Sequence, residues 1–381
     1  MQHFTLQYHP KTFWSAPLPK DLDSENTLVW VFGSRGLASD SEIWASLRKT
    51  FPRSCFMGCS TSGEIHNDRV EDESLSLAVV RFDKTRLKAV DVAIEQAADS
   101  YLTGAKLAEQ LQAPDLRAVF LLSDGLNVNG TNLVRGLREP LSAEVVITGG
   151  LAGDGTQFQH TWVLCDAVPR CHHVAAVGFY GNSLTVGYGS CGGWSDFGPE
   201  RLVTRSEDNV LYELDGQPAL DLYKSYLGER AGDLPGAALL FPLTFKEPNS
   251  ESEDTLVRTI LNVNEQNNSM IFAGDIPQGV MARLMRCRNE DLIDAAGLAA
   301  RQALEPLAGR SQPLVVSVSC VGRRLILGER TEEELEAVMQ QMPIDGAHIG
   351  FYSYGEISPV RGGQGSHLHN QTMTVTAFDE H

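Results

Sequence analysis

One eight-residue pattern occurs in both halves of the chain, and it restricts the possible folds more than any other feature. Residues 58–65 read Gly-Cys-Ser-Thr-Ser-Gly-Glu-Ile, and residues 350–357 read Gly-Phe-Tyr-Ser-Tyr-Gly-Glu-Ile. Each copy follows a strand pattern, a turn with glycine and arginine, and a helix pattern, and each precedes an alternating strand. This common order predicts an internal duplication of a strand-helix-strand-strand unit, with the two copies facing each other.

The rest of the chain alternates between strand and helix patterns. Residues 118–148 predict a strand, a helix and a second strand, as in a βαβ unit. Residues 75–82 and 87–94 are predicted to pair as a hairpin, and residues 174–179 and 183–188 as a second strand pair. We therefore expect the α/β (α+β) class, with mixed β-sheets flanked by helices.

Two segments after the middle of the chain indicate where a new part begins. Residues 237–241 are small and apolar and predict a strand. Residues 245–254 carry proline and several charges and predict an exposed loop or linker.

The charge balance argues against two classes of partner. The formal net charge is −18, whereas a nucleic-acid binder needs a basic face that displaces counterions. Anionic lipid is disfavoured for the same reason. The chain has no signal-peptide pattern and no apolar run of membrane-spanning length, and its seven cysteines do not suggest a disulfide framework. We expect a cytoplasmic protein without membrane insertion.

The two repeated turns are the main candidate site. Their glycines allow close backbone approach, which places short polar side chains beside one carboxylate in each copy. Together the turns would build one polar pocket in which two carboxylates repel, so that one has a raised pKa and attracts an amine. The alternative is that each Glu only caps neighbouring backbone N–H groups. The residues concerned are Ser60, Thr61, Glu64, Ser353, Tyr354 and Glu356.

Further residues are predicted to line the same cleft. Gly153 and Asp154 belong to a glycine cluster at residues 149–155 that either lines a site or packs between elements. Trp194 is a candidate aromatic wall, with burial in the core as its alternative. His369 and Asn370 complete the predicted ligand-binding set.

No motif indicates established catalytic chemistry. Residues 187–192 match G-x-G-x-x-G but are followed by a segment that cannot be a helix, so the match is accidental. A Ser or Cys hydrolase using Ser60 or Cys59 remains an alternative, although G-x-S-x-G is missed by one residue and buried cysteines are commonly inert. No metal site is predicted, because the ligand types near residues 165–173 lack a second pair.

These segments together resemble the FIST family of bacterial sensory proteins. The matching stretches are Gly58–Ile65, Gly149–Gly155, Gly192–Trp194, Tyr212–Leu222, Gly350–Ile357 and His369–Thr372. The resemblance implies a FIST N-terminal domain over residues 27–230 and a FIST C-terminal domain over residues 231–381. It also implies an intracellular sensor of a small, amino-acid-like ligand that signals to a partner protein. No attached output domain is expected.

A haem-binding subgroup of this family senses nitric oxide and works with a histidine kinase, so haem is a second possibility. No cofactor is predicted outright. If haem binds, His369 is the leading ligand and His367 the second, since a proximal His is the usual ligand. The alternative is that one of these His hydrogen-bonds across the pocket while the other faces solvent.

Overall fold

The computed structural model describes residues 1–246, 256–360 and 365–381, and its elements form three units of the same kind. Most of the predicted loop at 245–254 therefore lies outside the described residues. The first unit contains β1 (Gln2–His9), β2 (Phe13–Trp14), β3 (Thr27–Gly33), α1 (Ser41–Thr50), β4 (Cys55–Ser60), β5 (Glu64–His66), β6 (Arg69–Glu71) and β7 (Leu75–Arg81). The side chain of Asp40 caps α1 by accepting from the backbone N–H groups of Glu42 and Ile43.

The second unit follows without a break. It contains β8 (Arg86–Ala93), α2 (Ser100–Leu111), β9 (Leu116–Ser123), α3 (Gly130–Arg138), β10 (Val146–Leu151), β11 (Val163–Cys165), β12 (Val168–Arg170) and β13 (His173–Tyr180). Strands β9 and β10 are parallel, which confirms the predicted βαβ unit.

The third unit is interrupted by a long segment. It begins with β14 (Leu184–Cys191). The interrupting elements are β15 (Ser195–Glu207), β16 (Val210–Leu214), β17 (Gln217–Pro218), α4 (Ala219–Leu227), β18 (Leu243–Lys246), β19 (Leu256–Arg258), β20 (Ile260–Asn264), β21 (Ser269–Phe272) and β22 (Met281–Arg286). The unit resumes with α5 (Asn289–Leu304), β23 (Leu314–Cys320), α6 (Val321–Leu327), α7 (Thr331–Met339), β24 (Ala347–Ser353), β25 (Gly355–Pro359), β26 (Ser366–His369) and β27 (Met373–Glu380).

Short 3₁₀ helices connect several of these elements. They span Lys20–Leu22, Arg35–Ser39, Ala97–Asp99, Gly228–Asp233, Gly236–Leu240, Glu305–Leu307 and Gly328–Arg330.

The described strands form four sheets, three of which share one strand order. The first sheet is β12-β11-β4-β3-β7-β1-β2, the second is β26-β25-β10-β9-β13-β8, and the third is β14-β27-β23-β24-β5-β6. In each, a central strand pairs parallel to the strand after its helix and antiparallel to the last strand of its unit. Each sheet is completed by a two-stranded hairpin that comes from another unit, so the three units are interlocked.

The three sheets enclose one apolar interior. Trp30 of β3 lies 5.9 Å from Phe120 of β9 and 5.6 Å from Phe378 of β27, measured between ring centroids. The helices cover the outer faces, as Ile43 and Leu47 of α1 do on the first sheet. The molecule is thus an α/β protein of mixed sheets flanked by helices, as the sequence predicts.

The interrupting segment, here called the insert, has its own sheet and core. It comprises residues 195–246 and 256–288, its sheet order is β19-β18-β22-β15-β16-β21-β20, and β17 pairs with β16. Buried side chains such as Val203, Tyr223 and Phe272 form its interior. The predicted domain boundary at residues 230/231 falls inside the insert, and the two-domain division stays a prediction.

Three local predictions are wrong. Strands β7 and β8 do not form a hairpin, because β7 pairs with β1 and β3 while β8 pairs with β13 of another sheet. Strand β14 likewise pairs with β27 and not with β13. Residues 237–241 are mostly 3₁₀ helix, since Gly236–Leu240 wind over a buried face instead of extending. The predicted duplication stays a hypothesis; the strand order shows three units of one kind, whereas the sequence indicated two.

Candidate functional site

The ends of β4, β10 and β24 meet at one place. Three equivalent backbone hydrogen bonds link them in a ring: Gly153 N–H to Ser60 O at 2.9 Å, Ser62 N–H to Tyr352 O at 2.8 Å, and Tyr354 N–H to Leu151 O at 3.2 Å. The ring brings the two Gly-Glu-Ile turns beside each other and adds the glycine cluster as a third turn. In this alignment Gly155 occupies the position of Glu64 and Glu356.

The two repeated carboxylates have matching partners. Glu64 accepts hydrogen bonds from the Thr61 hydroxyl and from the backbone and hydroxyl of Ser74, at 3.2 and 2.9 Å. Glu356 accepts from the Ser353 hydroxyl at 2.6 Å and from the backbone and hydroxyl of Thr372, at 3.1 and 3.0 Å. Each Glu therefore ties its turn to the start of the following strand, as the capping alternative describes.

Burial, and not mutual repulsion, perturbs these acids. It raises the pKa of Glu64 to about 8 and that of Glu356 to about 8, against the opposing effect of their hydrogen bonds. The sequence predicts that one of the two carboxyl groups has a raised pKa because the other repels its charge. In the structure the pKa of both acids is raised, because each is buried among its own neighbours.

A cleft with two lobes opens beside the first turn. The first lobe, of about 590 Å³, is lined by Arg35, Thr61, Glu64 and Glu73. The second lobe, of about 610 Å³, is lined by Val70, Val321, Arg324 and Glu329. Both lobes share a wall made by Ser62, Asp72, Asp154, Gly155 and Gln157.

Arg35 and Asp154 define the first lobe. One Arg35 nitrogen lies 3.3 Å from the Asp154 carboxylate and 2.7 Å from the Gln157 amide oxygen. Burial alone would raise the pKa of Asp154, but hydrogen bonds from the backbone of His160, from Tyr354 and from Arg35 outweigh it and lower that pKa. Asp154 is consequently a fixed anion next to a one-third exposed guanidinium.

Arg324 and Asp72 define the second lobe. The Arg324 guanidinium binds both Asp72 carboxylate oxygens, at 2.8 and 2.7 Å, and the Ser62 carbonyl at 2.5 Å. It lies 5.6 Å from the centre of the Tyr352 ring. Asp72 is 65% exposed, so an anion from solution can compete with it for Arg324.

The structure separates the predicted site residues into two groups. Thr61, Glu64 and Asp154 line the cleft, and Gly153 packs against the Ser62 hydroxyl, where a Cβ would meet it at 2.3 Å. Tyr354 reaches the cleft through its hydroxyl, which donates to Asp154, while its ring stacks on Phe158 at 4.5 Å.

The second group lies away from the cleft wall. The Ser353–Glu356 pair is buried within its own turn. Trp194 donates to the Gln371 carbonyl at 2.8 Å, and Asn370 is 1% exposed with neither side-chain atom hydrogen-bonded. The sequence predicts one pocket for all eleven residues, but the structure divides them between the cleft and a region away from it. Ligand binding at either place stays a prediction.

Neither hydrolase candidate has the surroundings of a nucleophile. Cys59 is fully buried, which raises its thiol pKa well above the ordinary value. The Ser60 hydroxyl is also fully buried and accepts from the Trp162 backbone at 3.0 Å.

His369 does not fit haem ligation in this structure. Its Nε2, the nitrogen that most often binds metals, lies 3.0 Å from the Ser358 carbonyl. Burial lowers its pKa to about 4, so the ring is neutral at pH 7. His367 is exposed on β26, next to Leu368. Haem binding stays a prediction.

Sequence reasoning missed the cleft's cations and Asp72. Arg35 and Arg324 belong to the glycine and arginine segments that precede the two repeats, so the signal was present in the same pattern. These segments are not turns as predicted, because the first begins a 3₁₀ helix and the second lies in α6. Asp72 lies in the polar loop after the first repeat, where nothing in the sequence distinguishes it from its acidic neighbours.

Two family models match most of the chain. A family model described as the FIST N domain matches residues 27–217, and one described as the FIST C domain matches residues 219–359. The chain is 21% identical over 357 residues to an uncharacterized protein of Methanocaldococcus jannaschii; the match covers 83% of this chain and 66% of the relative, just under two thirds of its length.

Among solved structures, the chain is similar to cyanuric acid hydrolase from A. caulinodans at 8% identity and a TM-score of 0.36, covering 99% of this chain and 98% of that one. A likeness this weak supports no conclusion about this chain. In the described part of the chain, no helix is both long and apolar enough to cross a membrane.

Proposed function

The chain belongs to the FIST family, and on that premise we propose that it is a sensory protein that binds an amino-acid-like ligand in the two-lobed cleft and signals to a partner protein. FIST domains are sensory domains for small ligands. The observation that carries the proposal is the pairing of opposite charges along the shared wall, where Arg35 and Arg324 flank Asp72 and Asp154.

This arrangement suits a zwitterion. Guanidinium groups bind carboxylates through short, charge-assisted hydrogen bonds, and the exposed Asp72 is the group that a ligand carboxylate displaces from Arg324. The ligand's ammonium group then lies beside the carboxylates of the wall and of Glu64. A ligand without charged groups would leave the guanidinium groups and the acids paired only with each other.

Glu64 couples ligand binding to the release of a proton. Because its pKa is about 8, its carboxyl is largely protonated at pH 7 in the free protein. An ammonium group nearby favours the ionised form, so the pKa falls and a proton is released on binding.

The signalling half of the proposal rests on the family's sensory role. We place the protein in the cytoplasm, where its seven cysteines, which form no disulfide, would stay reduced. A histidine kinase is the proposed type of partner, and its autophosphorylation with and without the liganded sensor is the corresponding assay.

The ligand is identified by thermal unfolding of the full chain with each standard amino acid, followed by calorimetric titration. Arg35→Gln and Arg324→Gln are expected to weaken binding about tenfold or more, since each removes a charge-assisted bond worth roughly 1.5–3 kcal/mol. Titration in buffers of different ionisation enthalpy is expected to show proton release that Glu64→Gln abolishes.

Arg48→Gln is the matched control. Arg48 is an exposed arginine on α1 that pairs with Asp166 at 2.8 Å outside the cleft. The proposal fails if no amino acid shifts the unfolding temperature, or if all three arginine variants bind with the wild-type affinity.

A further inference from the structure

The insert meets the three-sheet core through a buried, polar interface centred on Arg258. This side chain lies in β19, at the edge of β26 and the beginning of α3. It donates to the Leu368 carbonyl at 3.0 Å and to the Thr131 hydroxyl at 3.4 Å. Beside it, the Asn129 amide donates to the Asp275 carboxylate at 2.6 Å.

Arg258 is a buried cation without a counter-ion within 4 Å among the described residues. It is 3% exposed, and burial lowers its pKa to about 10, so the group is still charged at pH 7. Its other contacts are long, at 3.5 Å to the Asp275 carbonyl and 3.4 Å to the Val257 carbonyl. A buried charge is costly unless it is paired and hydrogen-bonded.

In the described part of the chain, three residues close in sequence to these contacts have buried polar atoms without a hydrogen bond. Thr259, next to Arg258, has a buried hydroxyl without a hydrogen bond, and Asn132, next to Thr131, has an unbonded side-chain oxygen. Asn370, two residues after Leu368, is 1% exposed and lacks partners for both its oxygen and its nitrogen. Buried polar groups are nearly always bonded, so these unbonded atoms are an unusual feature of the described part of the interface.

We propose that the interface between the insert and the core holds a second ligand site, in which Arg258 binds a small oxyanion, either a carboxylate or a phosphate. Asp275 attracts Arg258 electrostatically but forms no ion pair with it within 4 Å, so the anion supplies a closer counter-charge. The Asn370 amide and the Thr259 hydroxyl donate further hydrogen bonds to it. Gly274 leaves room for the guanidinium, since a Cβ there would meet its Nε at 2.9 Å and the Thr131 hydroxyl at 2.7 Å.

Because Arg258 belongs to the insert and Asn370 and Thr131 to the core, the anion bridges the two parts. Its binding therefore holds the insert against the three sheets, whereas its release leaves a buried charge that favours their separation. This site is independent of the two-lobed cleft, and it does not require that an amino acid binds there.

The test is thermal unfolding of the full chain in inorganic phosphate, sulfate or acetate, compared with chloride at equal ionic strength. A ligand that binds only the folded form raises the unfolding temperature by mass action. We expect a larger upward shift in the wild type than in Arg258→Gln, in which only the general stabilisation by phosphate or sulfate remains. Phosphate and sulfate against acetate distinguish the two oxyanion classes.

A second variant tests the site without removing the arginine. Thr131→Asp places a carboxylate where a hydroxyl now lies 3.4 Å from the guanidinium, so it is expected to raise the unfolding temperature in chloride and to abolish the oxyanion response. Ser41→Asp, at the first residue of α1, is the control for the general effect of an acid at a helix start and should respond as wild type does. Equal oxyanion responses in the wild type and Thr131→Asp, or no response in the wild type, overturn the proposal.

Discussion

The carboxyl groups of Glu64 and Glu356 are held protonated near neutral pH although each accepts three hydrogen bonds. Their burial is nearly complete, and removing an ionised carboxylate from water costs more than these bonds return. The Thr61–Glu64 and Ser353–Glu356 spacing is visible in the sequence. The enclosing contribution of Ser74 and Thr372 is not, because those residues follow a loop of unpredictable length and path.

Stability is expected to fall as pH rises between about 4.5 and 8. In that range the unfolded chain loses the two protons, whereas the folded chain keeps them until its raised pKa of about 8. Glu64→Gln and Glu356→Gln mimic the protonated form, so each should flatten this decline and stabilise the protein at pH 8 by roughly 2–4 kcal/mol. Urea unfolding at pH 5, 6.5 and 8 measures the effect.

The matched control is Glu42→Gln, an exposed acid in the first turn of α1. It removes one carboxylate without changing a buried group, and the pH dependence should match the wild type. A decline with pH that persists in the double variant would show that other groups titrate in this range.

At the scale of elements, local patterns predicted which segments are strands and helices but not which strands pair. The segments β7, β8, β13 and β14 all exist close to their predicted positions. Their predicted pairing partners were wrong, because two strands that are consecutive in the sequence belong to different sheets. That assignment depends on the interior that the sheets share, which includes Trp30, Phe120 and Phe378. No short-range signal in the sequence carries this information.

One glycine in each unit lies where two strands approach most closely. A Cβ on Gly58 would lie 2.0 Å from the Val31 carbonyl oxygen, and one on Gly350 would lie 2.0 Å from that of Ser317. Gly149 is the third equivalent, at 1.9 Å from the Leu121 carbonyl and with a φ of 138°. The first two begin the repeated pattern, so the repeat partly records this packing constraint.

Replacing either repeat glycine with alanine should destabilise the protein. The new methyl group meets backbone in a parallel strand pair, which cannot move aside as a flexible side chain does, so Gly58→Ala and Gly350→Ala are expected to cost about 3 kcal/mol or more. Urea unfolding gives the values. Gly236→Ala, where nothing lies within 4 Å, is the control, and a similar small change in all three variants would contradict this account.

At the scale of the whole molecule, the sequence predicted the class of fold but counted two units instead of three. The middle unit escaped notice because its turn has Asp154 and Gly155 in place of the Gly-Glu pair, so only Gly149 remains in common. Whether the units arose by duplication stays a hypothesis. Their hairpins nevertheless cross between sheets: β5 and β6 complete the third sheet, β11 and β12 the first, and β25 and β26 the second.

This interlocking predicts how the chain can and cannot be divided. Residues 27–230 alone lack β25 and β26 of the second sheet and β23, β24 and β27 of the third. Residues 231–381 alone lack β5, β6 and β14 of the third sheet. Each fragment would expose a large part of the shared apolar interior, so neither is expected to unfold cooperatively. Circular dichroism during urea titration of the separate and the mixed fragments measures this.

Removal of the insert should have the opposite result. Its two connections to the core lie side by side, since a Cβ on Gly193 would be 2.3 Å from the Asp291 carbonyl oxygen, and its own core is separate. Replacing residues 195–288 with a short glycine link is therefore expected to leave the three sheets folded and cooperative. It should also remove the oxyanion response that depends on Arg258, while the binding of an amino acid in the cleft persists. Cooperative unfolding of residues 27–230 alone, or collapse of the core without the insert, would mean that the chain divides along its sequence and not by its interlocked sheets.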